Sequence, residues 1–271
     1  MRVLNKKIEN LASYAKEKSD LYQQAEPFPS IYLDDFFDTD FLNTVLEEFP
    51  DLSNLDSKEF NDFKQIKLQG KGEMFFEEKT KILMHYLNSE PFLEFLQIIT
   101  GIQEPIIGDP YFIGGGQHEI KKGGLLKIHA DFNKHSKLKL DRRINVLVYL
   151  NKDWDESYGG HFELWDRDMK EAKAKILPLF NRLAIFSTTD FSYHGHPNPL
   201  NCPDDRSRKS LALYYYSNGR PSEEINSNLS EHSTIFKERV GDKSDKLGLS
   251  KKIKSFTKKF IPPILLEIIK K

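Results

Sequence analysis

A chain of 271 residues can hold one large core plus extensions, and its 40 basic against 41 acidic residues set up no global field for a polyanion, so nucleic acid is not an expected partner. Cys202 is the only cysteine, which excludes an intramolecular disulfide and suits a reducing, cytoplasmic compartment. No stretch reaches transmembrane length, the opening MRVLNKKIENLASYAKEKSD reads as too charged for a secretory signal, and a 12% aromatic content suits a β-rich core.

Taken in chain order, residues from about Leu4 to Gln24 read as an exposed amphipathic helix, and Pro27-Phe28-Pro29 separates this helical extension, 1–26, from a main domain, 27–221. A strand is predicted around Ile31-Tyr32-Leu33. A helix follows from about Thr39 to Phe49, whose stripe Phe41, Leu42, Val45, Leu46 and Phe49 reads as core packing against a sheet. Residues from about Lys79 to Thr100 predict further helix, broken near Pro91, with His85 as a structural histidine. Gly114-Gly115-Gly116 reads as a tight turn between strands, since no helix pattern or Lys-Ser/Thr follows to make it a phosphate loop.

From Arg142 to Asn151 the chain alternates as a strand, with Asn145, Leu147 and Tyr149 on one face and Ile144, Val146, Val148 and Leu150 on the other. Gly159-Gly160 ends a turn, and His161–Trp165, Arg182–Phe186 and the Tyr-rich Ser210–Ser217 read as further strands. Short antiparallel strands with turns between them predict an α+β chain with a mainly β core of jelly-roll or cupin-like kind, a double sheet with supporting N-terminal helices. After Pro221 the composition turns polar, and 222–248 reads as a flexible linker or irregular helix. The tail, 249–271, places Leu249, Ile253, Phe256 and Phe260 on one helical face among lysines, stopped by Pro262-Pro263. Such a basic amphipathic helix either lies on an anionic membrane surface as a peripheral contact or docks on the catalytic domain or a dimer partner; oligomeric state is not legible.

The chemistry centres on His129-Ala130-Asp131, answered later by His194. In an extended strand residues two apart point the same way, so His129 and Asp131 can converge while a second strand delivers His194. Two imidazoles and one carboxylate on one face of a metal leave positions open for a cosubstrate and O2, the donor set of non-haem Fe(II) oxygenases. His196 competes with His194, because the chain reads Tyr193-His194-Gly195-His196-Pro197. The alternative reading of His196 is a loop histidine held by Pro197 and Pro199.

Quoted in order, HADFN, RRINVLVYLNKDWDESYGGHFELWD, NRLAIFSTTDFSYHGHPNPL and RKSLALYYYSNGRP resemble the prolyl 4-hydroxylase-like 2-oxoglutarate- and Fe(II)-dependent dioxygenases, most of all the branch of hypoxia-sensing prolyl hydroxylases and their bacterial relatives. The resemblance runs from about Pro27 to Pro221 and implies a double-stranded β-helix with His129, Asp131 and His194 as iron ligands, the spacing from Arg182 landing on His194. It implies Fe(II), 2-oxoglutarate, O2 and ascorbate as cofactors, and hydroxylation of a C–H bond with release of succinate and CO2. The ligating Asp131 argues against a halogenase, which needs a small residue there to admit halide.

The distal carboxylate of 2-oxoglutarate needs a partner, and a guanidinium can give it two parallel hydrogen bonds. Arg208 is the expected anchor, sharing period-2 parity with Ser210, Ala212 and Tyr214, whereas Lys209 has the wrong parity and Arg206 reads as a solvated charge. Tyr149 and Tyr214 join Arg208 as cosubstrate-binding candidates, the alternative for Tyr149 being a core tyrosine with its hydroxyl at the surface. Where the sensing branch carries a tyrosine that also contacts 2-oxoglutarate, this chain has Glu119, which leaves the second contact open.

The loop from Asn133 to Arg142 follows the ligands directly and is expected as a rim or lid whose Lys134, Lys137 and Lys139 favour an acidic or phosphate-bearing substrate; a solvated loop is the alternative. The resemblance points to peptidyl proline as substrate, with a small metabolite or a glycan or lipid precursor as runner-up. Two other classes stay open: a zinc hydrolase, which would have no use for Arg208 and Tyr149, and a catalytically silent cupin-like binding protein.

Overall fold

The computed structural model describes residues 2–226, 229 and 231–239. One compact unit, Met1–Lys237, contains all the elements below; of the second, Glu238–Lys271, only Glu238 and Arg239 are described, so the amphipathic tail lies outside the described residues. No helix among the described residues is long and apolar enough to cross a membrane.

The chain opens with α1 (Leu11–Gln23), whose first turn is capped by Asn10 accepting from the Ser13 amide at 2.8 Å. The helix is shorter than expected and is not an exposed extension. It packs on α4, buries Ala15 and Tyr22 fully, and Tyr22 shares a 2.9 Å hydrogen bond with Ser187 of the sheet. The next elements are β1 (Ser30–Asp34), α2 (Thr39–Glu47), and a hairpin of β2 (Lys58–Asn61) and β3 (Gln65–Gln69). In α2 the expected stripe is buried, Asp38 caps the start, and Phe49 packs just past the end. The helical stretch near Pro91 is two helices, α3 (Glu78–Leu87) and α4 (Glu90–Thr100), with the proline in the first turn of α4, where its missing N–H costs nothing.

The remaining strands are β4 (Gly116–Lys121), β5 (Leu125–Ala130), β6 (Asp141–Tyr149), β7 (Phe162–Trp165), β8 (Ala172–Ile176), β9 (Arg182–Ser187), β10 (Tyr193–His196), β11 (Ser207–Ser217) and β12 (Ile235–Phe236). One layer runs β1-β9-β6-β11-β4 and the other β5-β10-β7-β8, all antiparallel; β3 pairs with both β4 and β5 and so joins the two layers. This is a double-stranded β-helix, a nearly closed barrel with few helices.

Period-2 alternation sorts the first layer's side chains. Ile144, Val146 and Val148 of β6, Leu183 and Ile185 of β9, and Leu211, Leu213 and Tyr215 of β11 face the helices, in one core with Phe92, Phe95 and Leu96 of α4. Tyr149, Ala184 and Phe186 face the barrel interior with Phe162, Leu164 and Ile176 of the second layer. The interior face thus carries both apolar filling and the polar groups of the site. The polar stretch after Pro221 also returns to the fold: β12 pairs with β5 through Ile235↔Ala130 and Phe236↔His129.

Candidate active site

His129 sits near the end of β5, Asp131 one residue beyond it, and His194 directly opposite His129 on β10. The three offer ligand atoms that all lie within 4.8 Å of one another. His129 Nε2 is 3.5 Å from Asp131 Oδ1, and His194 Nε2 is 3.3 Å from Asp131 Oδ2. The other ring nitrogens fix the tautomers. His129 Nδ1 lies 2.8 Å from the Lys127 carbonyl and His194 Nδ1 2.9 Å from the Ser192 carbonyl. Each Nδ1–H therefore donates to a carbonyl, which leaves each Nε2 lone pair turned toward Asp131, as a metal-binding imidazole requires. Burial, then the neighbouring His194, lowers the His129 pKa below the usual histidine value, which favours the neutral imidazole that a metal needs.

Asp131 is held from behind by residues that sequence reasoning did not assign. Arg142 donates to its Oδ2 at 3.0 Å and Asn145 Nδ2 donates to the same oxygen at 2.7 Å, while Arg142 Nε donates to Asn145 Oδ1 at 2.9 Å. Burial opposes ionisation of Asp131, yet Arg142 and the two imidazoles hold its carboxyl well below the usual carboxylate range. Arg142 is itself buried, its guanidinium 4.3 Å from the Phe132 ring centre and 3.5 Å from that of Tyr214. The signal was present in the alternation that puts Asn145 on the face of Leu147, but the partner across the barrel was not.

Farther along the same cavity lies Arg208 on β11, 5% exposed. Its Nε donates to the Gly160 carbonyl at 3.0 Å and its terminal nitrogen to the Tyr149 hydroxyl at 3.2 Å. Gly160 has φ +74, and a Cβ there would come within 3.1 Å of Arg208 Cδ, so this turn needs glycine to admit the guanidinium. No carboxylate of a described residue pairs with Arg208, and burial lowers its pKa. The Tyr149 hydroxyl is inside the barrel, not at the surface. Tyr214 contributes its ring to the cavity, but its hydroxyl donates to the Gly114 carbonyl at 2.9 Å.

His196 is not a loop residue. It ends β10, is 3% exposed, and lines the cavity together with His194. The register shifts between these two, His194 pairing with His129 and His196 with Leu126. Gly195 permits this, because a Cβ there would lie 2.7 Å from the Leu126 carbonyl oxygen. Neither ring nitrogen of His196 has a hydrogen-bond partner among the described residues, and burial, then Arg208, push its pKa well below the usual histidine range.

Glu119 faces away from this cavity, accepting from the Leu52 amide at 3.0 Å and the Ser207 hydroxyl at 2.7 Å. Its neighbour His118 lines the cavity instead, as does Lys67 from β3, which sequence reasoning passed over. The loop after the ligands is not a free lid. His135 is fully buried, Lys137 and Leu138 amides donate to its Nδ1, and its Nε2 meets Asp109 at 3.1 Å. Its lysines are engaged as well: Lys134 with Asp141 at 2.9 Å, Lys139 with Glu231 at 3.0 Å, and Lys137 over the Tyr111 ring. Two of the three lysines expected to select an acidic substrate are therefore already paired with carboxylates.

Residues 116–216 match the family model of the 2OG-Fe(II) oxygenase superfamily. Among solved structures, a Pseudomonas putida prolyl-4-hydroxylase matches at 14% identity and TM-score 0.53, covering 76% of this chain and 100% of that one. A Trichoplax adhaerens prolyl hydroxylase in complex with a hypoxia inducible factor peptide fragment matches at 17% identity and TM-score 0.54, over 76% of this chain and 91% of that one. HygX from Streptomyces hygroscopicus, with nickel, 2-oxoglutarate and hygromycin B bound, matches at 11% identity and TM-score 0.50, over 82% and 96%. At such identities the structural likeness establishes the fold. The family-model match falls on the strands that carry the site, from β4 into β11.

Proposed function

We propose that this enzyme hydroxylates a C–H bond with His129, Asp131 and His194 holding Fe(II) and Arg208 holding the distal carboxylate of 2-oxoglutarate. The observation that carries the reading is Arg208. A guanidinium 5% exposed, with only a carbonyl and a phenol for company, is a buried cation in need of a carboxylate, and it lines the cavity of the histidine pair. A zinc hydrolase gives no reason to keep such a group.

The fit to the metal rests on the tautomers: both Nδ1–H groups are spent on carbonyls, so both Nε2 atoms are available beside an ionised carboxylate. When bound, iron and 2-oxoglutarate supply the oxidising chemistry that ends in succinate, CO2 and a hydroxylated product. The chain's own contribution is positioning. Arg142 and Asn145 hold Asp131, Tyr149 orients Arg208, and Phe162 and Phe186 pack beside His194 and exclude water. His196, without a hydrogen-bond partner among the described residues and lining the cavity with Arg208 where Glu119 does not, is the candidate for the second cosubstrate contact.

For the substrate, two structural relatives are prolyl hydroxylases, which supports peptidyl proline; HygX with hygromycin B bound supports a small molecule as the second reading. The test is succinate formation from 2-oxoglutarate by the iron-loaded protein, followed by a search for a mass gain of one oxygen in proline peptides and in small-molecule extracts. Absence of succinate formation with every addition, iron being bound, would sink the oxygenase assignment for this chain.

A further inference from the structure

Phe60 of β2 faces Lys67 directly across the hairpin, and Lys58 lies two residues from Phe60 on the same side of the strand. The result is one aromatic ring with two ammonium groups: Lys58 Nζ is 4.5 Å and Lys67 Nζ 5.0 Å from its centre. A ring face attracts a cation, but two like charges on one ring repel each other. Among the described residues, no carboxylate lies within ion-pair distance of either lysine.

Lys67 also lines the cavity of the triad. Burial, only partly opposed by Asp131 and reinforced by Lys58, Arg142 and Arg208, brings its amine down to about 8. Asp131 acts on it only at a distance, its Oδ2 bonded to Arg142 and Asn145 and its Oδ1 beside His129. Of the lysine and arginine side chains that line the cavity, Lys67 is the more exposed, half-buried against 5% for Arg208, and Lys58 beside it on the Phe60 ring is exposed to solvent. Lys134 and Lys139, in the loop after Asp131, are already paired with acids.

We propose that Lys58 and Lys67, held together over Phe60, form an anion-recognition element that selects substrates bearing a carboxylate or phosphate group close to the C–H bond presented to the triad. This rests on the oxygenase reading above and narrows it: whether the acceptor is a peptide or a small molecule, it carries negative charge beside the reacting carbon. A bound anion offsets the repulsion between the two ammonium groups. A neutral prolyl ring alone gives them nothing to bind.

The test uses the full chain loaded with Mn(II) and N-oxalylglycine, labelled with acetic anhydride near pH 8 and read lysine by lysine by mass spectrometry. Inorganic phosphate or N-acetyl-L-glutamate should slow labelling of Lys67 at least fivefold relative to exposed Lys81, while chloride at equal ionic strength should not. The anion that protects at lower concentration identifies phosphate or carboxylate as the preferred group. In Lys58→Met the protection of Lys67 should fall below twofold. Labelling of Lys67 relative to Lys81 that neither anion slows at saturation would overturn the proposal, and so would protection of Lys67 already complete when N-oxalylglycine is added to the Mn(II) protein, which would make Lys67 a cosubstrate contact. Succinate formation by the iron-loaded enzyme keeps the two readings apart: its presence without anion protection removes only the lysine pair, whereas its absence removes the oxygenase reading regardless of labelling.

Discussion

The two ends of the cavity differ in how their polar groups are satisfied. At the histidine end the groups that orient the ligand atoms are hydrogen-bonded: two carbonyls take the Nδ1–H groups, and Arg142 with Asn145 takes Asp131 Oδ2. At the other end, among the described residues, Arg208 lacks a carboxylate, both His196 nitrogens lack partners, and Lys67 shares its ring with a second cation. The first region is pre-organised and the second is in deficit. A site can be rigid where it must hold an ion in fixed geometry and electrostatically incomplete where it awaits an anion, because each anion that enters removes a cost the empty protein bears.

The strongest test of the pre-organised end is removal of a ligand. His129→Ala, Asp131→Ala and His194→Ala should each abolish Fe(II) binding, measured by metal analysis after desalting, and with it succinate formation. His196→Ala should retain the iron; the opposite pattern would move the distal ligand two residues along β10. At the deficient end, Arg208→Ala should weaken 2-oxoglutarate by roughly thirty-fold to several thousand-fold while sparing iron, since truncating one partner of a buried charge pair costs about 2–5 kcal/mol. Titration of 2-oxoglutarate into the anaerobic Fe(II) protein, followed by its absorption band, measures this. If the affinity is unchanged, the anchor lies elsewhere.

A smaller effect separates holding a ligand from being one. Asn145→Ala leaves all three ligands in place but frees Asp131 Oδ2, and outer partners of this kind are worth about ten- to a hundred-fold in metal affinity. A competition titration against a chelator would show it, and a loss as complete as that of Asp131→Ala would mean that Asn145 does more than orient. The smallest expected effect is on the pH dependence of the metal-free fold. Burial, with Lys67 next, lowers His118 from 6.5 to about 3. Between those values the unfolded chain binds a proton that the folded chain refuses, so stability falls as pH falls through that window and is constant above about 6.5. The contribution is about 1–3 kcal/mol, visible as a urea midpoint that drops from pH 7 to pH 4.5 and drops less in His118→Asn.

Much of this was legible in the sequence where the interaction is local. The alternation of Ile144, Val146 and Val148 against Asn145 and Leu147 sorts β6 into a helix-facing side and a barrel side, and the parity of Arg208 with Ser210 and Tyr214 puts all three on the cavity wall. What was not legible depends on partners distant in the chain. Arg142 reads only as the junction of the loop from Asn133 and the strand after it, and nothing there announces that Phe132 and Tyr214 close around it. The β2–β3 hairpin has weak alternation, so nothing in it announced that Lys67 would enter the cavity. His196 lines the cavity because it lies on the same strand two residues from His194 and so shares its face, whereas the prolines after it read as a loop. The rim loop looked free because the buried His135–Asp109 contact spans loops that are separate in sequence.

The return of β12 to β5 has a practical corollary. The outer margin of β5 is covered in two lengths, by β3 at Leu125 and Leu126 and by β12 at His129 and Ala130, with Phe236 5.5 Å from the His129 ring. The family signature stops at 216, so a shortened protein cut at Pro221 would look complete by motif. It would instead present the strand beside the first histidine as an uncovered edge, with amide and carbonyl groups ready to pair with another chain. Poor solubility and loss of metal in such a truncated form would then share one origin in a missing two-residue strand.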